Sequence, residues 1–291
     1  MSRSNAFVPH PGPATTFDGT CHYLSVVATP PARTAADLGV GTGVGAFSGA
    51  FGVGGGLMLV PFLVLARTWP QKQAQATSLV MVAMAATAGA VRYALDGAVA
   101  WLPGLVIVVG GLAGAWLGAH LVQRSPNALL QALFGLLVVV AGVRMLWPTG
   151  GDASADAHLA SLTPGLVAGY LGAGLGMGLL SALFGIGGGI LLIPILVAGF
   201  EYSQHLAAGT SLAVMVPISL VGAIRLTRPG LTKWAEGARF GAGAVVGAVI
   251  GASVALVVSG SIMQAAFGVV MLVVGGRMAW SAGRARTQTR M

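Results

Sequence analysis

The chain has 291 residues, 56% of them hydrophobic and only 8% charged, where soluble domains carry about 25% charged residues. Its formal charge of +8 is scattered at the ends of apolar runs, where positive-inside bias and phospholipid headgroups account for it, so nucleic acid is excluded as a partner. A lone Cys21 excludes a disulfide framework or CxxC metal site, and the short alternating segments of a membrane β-barrel are missing.

Residues 1–37 hold Pro9-His10-Pro11 and Pro30-Pro31 and lack an apolar signal core, which predicts a flexible polar tail. Apolar runs follow at 38–66, 74–95, 99–122 and 128–147, the first membrane repeat (38–147). A polar linker, 148–163, carries Gly150-Gly151-Asp152 and Asp156. The second repeat (164–281) has runs at 164–200, 207–226, 239–258 and 262–281, and a basic tail, 282–291, closes the chain. Runs of about 20 apolar residues span a bilayer. The expectation is an all-α polytopic membrane protein of about eight transmembrane segments, four per repeat, with no cofactor and no metal.

The two halves match without a gap at an offset of 133 positions. Ser48-Gly49-Ala50-Phe51-Gly52-Val53-Gly54-Gly55-Gly56 falls on Ser181-Ala182-Leu183-Phe184-Gly185-Ile186-Gly187-Gly188-Gly189. Pro61 falls on Pro194, Thr77-Ser78-Leu79 on Thr210-Ser211-Leu212, and Arg92 on Arg225. Trp101, Gln131, Phe134, Arg144 and Trp147 meet Trp234, Gln264, Phe267, Arg277 and Trp280. Such a run at one offset indicates duplication. Glycine-interrupted apolar segments at matching places are the pattern of secondary transporters.

The first run of each half is long. Residues 38–66 would extend about 43 Å as one helix, against a hydrocarbon core of about 30 Å. Residues 160–200 are uncharged throughout, enough for a crossing plus a re-entrant piece. If each such run crosses once, the repeats are parallel; if each doubles back, they are inverted. Counting Lys and Arg gives twelve on the N-terminal side and three (Arg67, Lys72, Arg124) opposite in the first case. The second case gives thirteen, with two (Arg92, Arg144) opposite. Either way both termini are expected in the cytoplasm, in a multi-pass protein of the inner membrane.

Triple glycines disfavour a helix by about 1 kcal/mol each relative to alanine. They also free backbone groups that lipid cannot satisfy, so such backbone is buried in protein or lines a wet cavity. Pro61 and Pro194, five residues further on, remove another donor and mark helix breaks. One reading is a broken helix whose N–H groups and positive end face an anion, with Gly52, Gly54, Gly55, Gly56, Gly185, Gly187, Gly188 and Gly189 as binding elements. The other is close packing through small residues. Thr77, Ser78, Thr210 and Ser211 either cap the next spans or offer donors to a solute. Gln71, Gln75 and Gln204 add polar lining, with Ala208 where Gln75 has its match.

Arg92 and Arg225 are paired charges near helix ends, read as a gate or as interfacial anchors. His120 and His205 have no matched histidine and are read as interfacial. No Asp or Glu falls within the predicted spans, whereas coupled carriers commonly use an intramembrane carboxylate. An intramembrane enzyme is disfavoured: Ser48 has no matched histidine, and neither an HExxH motif nor a buried aspartate pair is present.

With FGVGGG…P and FGIGGG…P, each followed by TSL, the chain resembles the TauE/SafE sulfite exporter family, also called the toluene sulfonate uptake permeases. The resemblance covers nearly all of 38–281. It implies an inner-membrane permease, without enzymatic activity, for small sulfur-containing anions such as sulfite, sulfonates or sulfoacetate. It also implies that the family's glycine elements are the two runs named above. The first half departs from the usual pattern, with Gln75-Ala76 where the second has Ala208-Gly209. Partners are then the anion, the lipid bilayer and, as one option, a second copy of the chain. Another small organic anion, or a non-transporting scaffold role, stands as the alternative.

Overall fold

The computed structural model describes residues 31–121, 163–185, 187–227 and 230–288, together with 139, 142, 143 and 146. Among these residues there are nine helices and no strand. They are α1 (Pro31–Phe51), α2 (Gly56–Ala66), α3 (Gln71–Leu95), α4 (Trp101–Leu121), α5 (Pro164–Phe184), α6 (Gly189–Gly199), α7 (Gln204–Thr227), α8 (Trp234–Val257) and α9 (Gly260–Gln288). The helices that start at 31, 56, 71 and 101 have counterparts that start at 164, 189, 204 and 234, each 133 residues on.

Five helices are long and apolar enough to cross a membrane, at 72–95, 101–118, 164–182, 204–227 and 234–257. Shorter apolar helices cover 56–66, 189–199 and 260–273. The run predicted at 128–147 lies, but for four positions, outside the described residues. Large apolar side chains such as Leu105, Val109, Val246 and Val257 face outward, as lipid in place of water as solvent allows.

Glycine seams hold the bundle and reveal its directions. Gly41, Gly45 and Gly49 lie on the backbone of Phe240, Ala244 and Ala248, so α1 and α8 run the same way. Gly110, Gly114 and Gly118 lie on Leu171, Leu175 and Leu179, so α4 and α5 do likewise. At each of these positions a Cβ would overlap the facing backbone. Without a hydrophobic drive in lipid, such close approach is what holds helices together.

The remaining directions follow. Thr77 sits by Lys233 and Arg92 by Ser253, which sets α3 parallel to α8 and therefore to α1. Gly89 meets Leu212 and Gly222 meets Leu79, so α7 runs opposite to α3. Since α1 and α3 point the same way, the chain between them has to return, and α2 makes that return. The same holds for α6 between α5 and α7, which both run with α4. α9 turns back from α8, with Phe267 stacked on Phe51 at 5.8 Å.

Thus the first run of each half is a hairpin of one long and one short helix. The first hairpin is latched at its open end by the Asp37–Arg67 ion pair, with the Arg67 guanidinium 6.0 Å from the Phe62 ring. The matching end of the second is aromatic. Tyr170 stacks on Phe200 at 4.3 Å, and its hydroxyl lies 3.1 Å from that of Tyr202. Burial, then the Tyr170 hydroxyl, pushes the Tyr202 phenol above its usual range.

Two expectations are corrected here. α1 begins at Pro31, so Asp37, read as tail, is a buried helical acid; its ion pair with Arg67 compensates its burial. The prolines do not break helices either: Pro61 and Pro194 lie inside α2 and α6. The interruption falls before them, at the glycines.

Candidate functional site

Both chain reversals are made of glycines in the left-handed region. Gly52, Gly54 and Gly55 have φ of 72°, 85° and 67°; Gly185, Gly187 and Gly188 have 66°, 86° and 80°. A side chain is disfavoured there because its Cβ crowds the backbone. Gly55 and Gly188 are the N-caps of α2 and α6, and neither makes a side-chain cap. Among the described residues, the N–H groups of Val53, Gly54, Gly55, Gly187, Gly188 and Gly189 donate no hydrogen bond. Two helix N-termini, each with positive partial charge, therefore present unmatched donors in the interior.

The bends meet. A Cβ added to Gly54 or to Gly187 would overlap the same atom, Met215 Cε. Val82 Cγ1 comes next, at 3.1 and 2.9 Å from those two positions. Val82 and Met215 are themselves 133 residues apart, and both are fully buried.

The four hydroxyls predicted beside a solute are all buried and have partners of their own, the serines at the bends and the threonines at the chain leading into α8 and α4. Ser78 Oγ lies 2.7 Å from the Gly185 carbonyl oxygen and 2.8 Å from that of Gln75, with one hydrogen to give. Ser211 Oγ donates to the Gly52 carbonyl at 3.0 Å. Thr77 Oγ1 accepts from the Lys233 N–H at 3.1 Å, and Thr210 Oγ1 from the Ala100 N–H at 2.9 Å. Apart from Ser78–Gln75, each bond runs from one half to the other. Thr77 and Thr210 keep their own hydrogens; the two serines do not. Gly52 packs on Ala208 and Gly185 on Gln75, which explains why that pair of positions matters without being polar in both halves.

The arginines stand elsewhere. Arg92, in the last turn of α3, donates to Ser253 Oγ at 3.0 Å and pairs with Asp96 at 2.9 Å. Arg225, in the last turn of α7, lies 5.4 Å from the Trp116 ring. From Val82 to Arg92 is ten residues, about 15 Å along a helix. His205 binds the Ala255 carbonyl oxygen at 3.0 Å.

The sequence reading missed Val82 and Met215 as site residues. Each follows the matched serine by four positions, one helical turn, so each faces the same glycine bend. Among the described residues, buried polar atoms without a partner are Ser48 Oγ, Ser219 Oγ and both amide atoms of Gln204. The sequence reading has Gln204 as polar lining, weighs Ser48 only for catalysis, and misses Ser219. Ser48 Cβ is 3.4 Å from where a Cβ on Gly55 would stand.

The sulfite exporter TauE/SafE family matches residues 19–145 and 158–291. A "probable membrane transporter protein" of Xylella fastidiosa (strain Temecula1) is 29% identical over 247 residues, 84% of this chain and 94% of that protein. One from Methanocaldococcus jannaschii is 30% identical over 191 residues, 64% and 68% of the two chains. Bacillus subtilis YdhB, of the same description, is 28% identical over 212 residues, 72% and 85%. No solved structure matches significantly. The family model spans both halves and both glycine bends, and the chain belongs to the TauE/SafE sulfite exporter family of membrane transporters.

Proposed function

We propose that this protein is an inner-membrane permease that moves small sulfur-containing anions, sulfite or sulfonates among them, through a site between the two glycine bends. The observation that carries it is the meeting of two glycine bends, each leading into a helix N-terminus, with N–H groups that have no partner. An oxyanion offers several acceptor oxygens to neutral donors, and the helix ends supply positive charge without a buried cation. Thr77 and Thr210 add two O–H groups. The family description, sulfite exporter, points to the same solutes.

The topology that supports this reading is two duplicated halves in inverted orientation, each a doubled-back hairpin followed by crossings. It is supported by reciprocity: Ser78–Gly185 has its counterpart in Ser211–Gly52, and Thr77–Lys233 in Thr210–Ala100. A site at the junction of such halves suits alternating access.

The test is flux in proteoliposomes with sulfite, thiosulfate, sulfoacetate and a simple carboxylate. Sulfur oxyanions are expected to move and the carboxylate to lag. Equal movement of the carboxylate would make this a general organic-anion carrier, and no movement of any anion would remove the transport reading.

A further inference from the structure

Where two bends face one another with free donors, whatever stands between them decides what fits. Here two side chains do, Val82 and Met215, and Met215 comes closer. Met215 Cε is the nearest atom to the Cβ positions of both Gly54 and Gly187, and its Sδ lies 2.9 Å from that of Gly189. The thioether thus lies against Gly54, Gly187 and Gly189, three of the glycines whose N–H groups have no partner. It is a weak acceptor, which is consistent with those donors being left unpaired. Ser211 Oγ lies 3.8 Å from Sδ, beside the outer end of the side chain.

The other half has Val82 at the matching position. Valine is branched at Cβ and stiff about χ1, whereas methionine is unbranched, with three rotatable bonds. Two methionines on the axis would claim the same volume. One wall of the site is therefore stiff, and the other has three bonds about which to turn.

We propose that Met215 is the movable plug of the site, displaced when a solute enters, and that its length sets the largest solute accepted. The proposal rests on the reading that solute passes between the bends, and deepens it by naming the residue that selects for size.

The test uses full-length protein in proteoliposomes, wild type against Met215→Ala and Met215→Val, with sulfite and benzenesulfonate as probes. The ratio of benzenesulfonate to sulfite flux is independent of how much protein is active. It is expected to rise at least about tenfold in Met215→Ala, and less in Met215→Val, since a single methylene in a pocket changes discrimination by about 10–200-fold. An unchanged ratio overturns the proposal.

A second measurement does not depend on knowing the solute. In a Cys21→Ser background, Met215→Cys is treated in membranes with a small charged methanethiosulfonate. It is expected to be modified, while Ala248→Cys, buried in the seam between α1 and α8, stays unmodified. If wild type moves neither probe yet Met215→Cys reacts, the anion reading fails and the plug stands. If Met215→Cys does not react, the plug is overturned whatever the solute.

Discussion

At the scale of single residues, the glycines of the bends serve geometry first. Gly188, at φ 80°, would place a Cβ 2.7 Å from the Met177 carbonyl oxygen. Strain of this kind is on the order of 1–3 kcal/mol per residue, and a branched side chain would also cover the free N–H groups. Gly55→Val and Gly188→Val are expected to abolish flux while the protein still inserts, measured as flux per unit of membrane-resident protein. The serines serve assembly. Ser78→Ala leaves the Gly185 carbonyl buried without its cross-half donor, a loss of about 1–3 kcal/mol. A lower thermal unfolding midpoint in detergent is expected, with little change in solute affinity for the protein that remains folded. Thr210→Ala is expected to do both, since it strips the Ala100 N–H of its acceptor and removes an O–H from the proposed site. The glycines were legible in the sequence because their run, doubled at one offset, has few other uses in a membrane. The partners of the serines were not, because they lie 107 and 159 residues away.

At the scale of elements, charge counting could not tell a crossing from a hairpin, because either places most of the basic residues on one side. The glycine seams tell them apart. Parallel α1, α3 and α8 leave α2 no course but back, and this follows from which backbone each glycine touches, a contact invisible in a linear sequence. The same seams carry a prediction: Gly45→Leu or Gly178→Leu drives a side chain into the backbone of Ala244 or Gly111. Unlike the bend variants, these are expected to fail at assembly, seen as loss of monodisperse protein on extraction. The two latches differ in chemistry and so in response. Asp37→Asn leaves the Arg67 guanidinium, 29% exposed, without its anion. The loss falls below the 3–5 kcal/mol typical of a fully buried pair because water reaches the arginine. Tyr170→Phe keeps the ring stack and gives up one hydroxyl contact, about 1 kcal/mol. Limited proteolysis is therefore expected to open the first hairpin in Asp37→Asn and to leave the second nearly unchanged in Tyr170→Phe.

At the scale of the whole molecule, α9 heads back toward the end of the bundle at which α1 starts, and the basic residues concentrate at that end. Both termini are expected in the cytoplasm: a C-terminal reporter active only in the cytoplasm agrees, and periplasmic activity contradicts it. The bonds that cross between halves have a consequence for how the molecule comes into being. The Gly52 carbonyl accepts its hydrogen bond from Ser211, which is made 159 residues later. At about 5–20 residues per second, a ribosome needs roughly 10–30 s to deliver it. Through that interval the first half sits in or beside the insertion machinery with open carbonyls in a solvent that has no water to lend. It has to wait unfinished, its α1 lacking α8 and its α4 lacking α5, until a half inserted later supplies what it lacks. Birth order then makes the early half a client for whatever shields unpaired helices, and two half-chains made in one cell should persist together or be degraded apart.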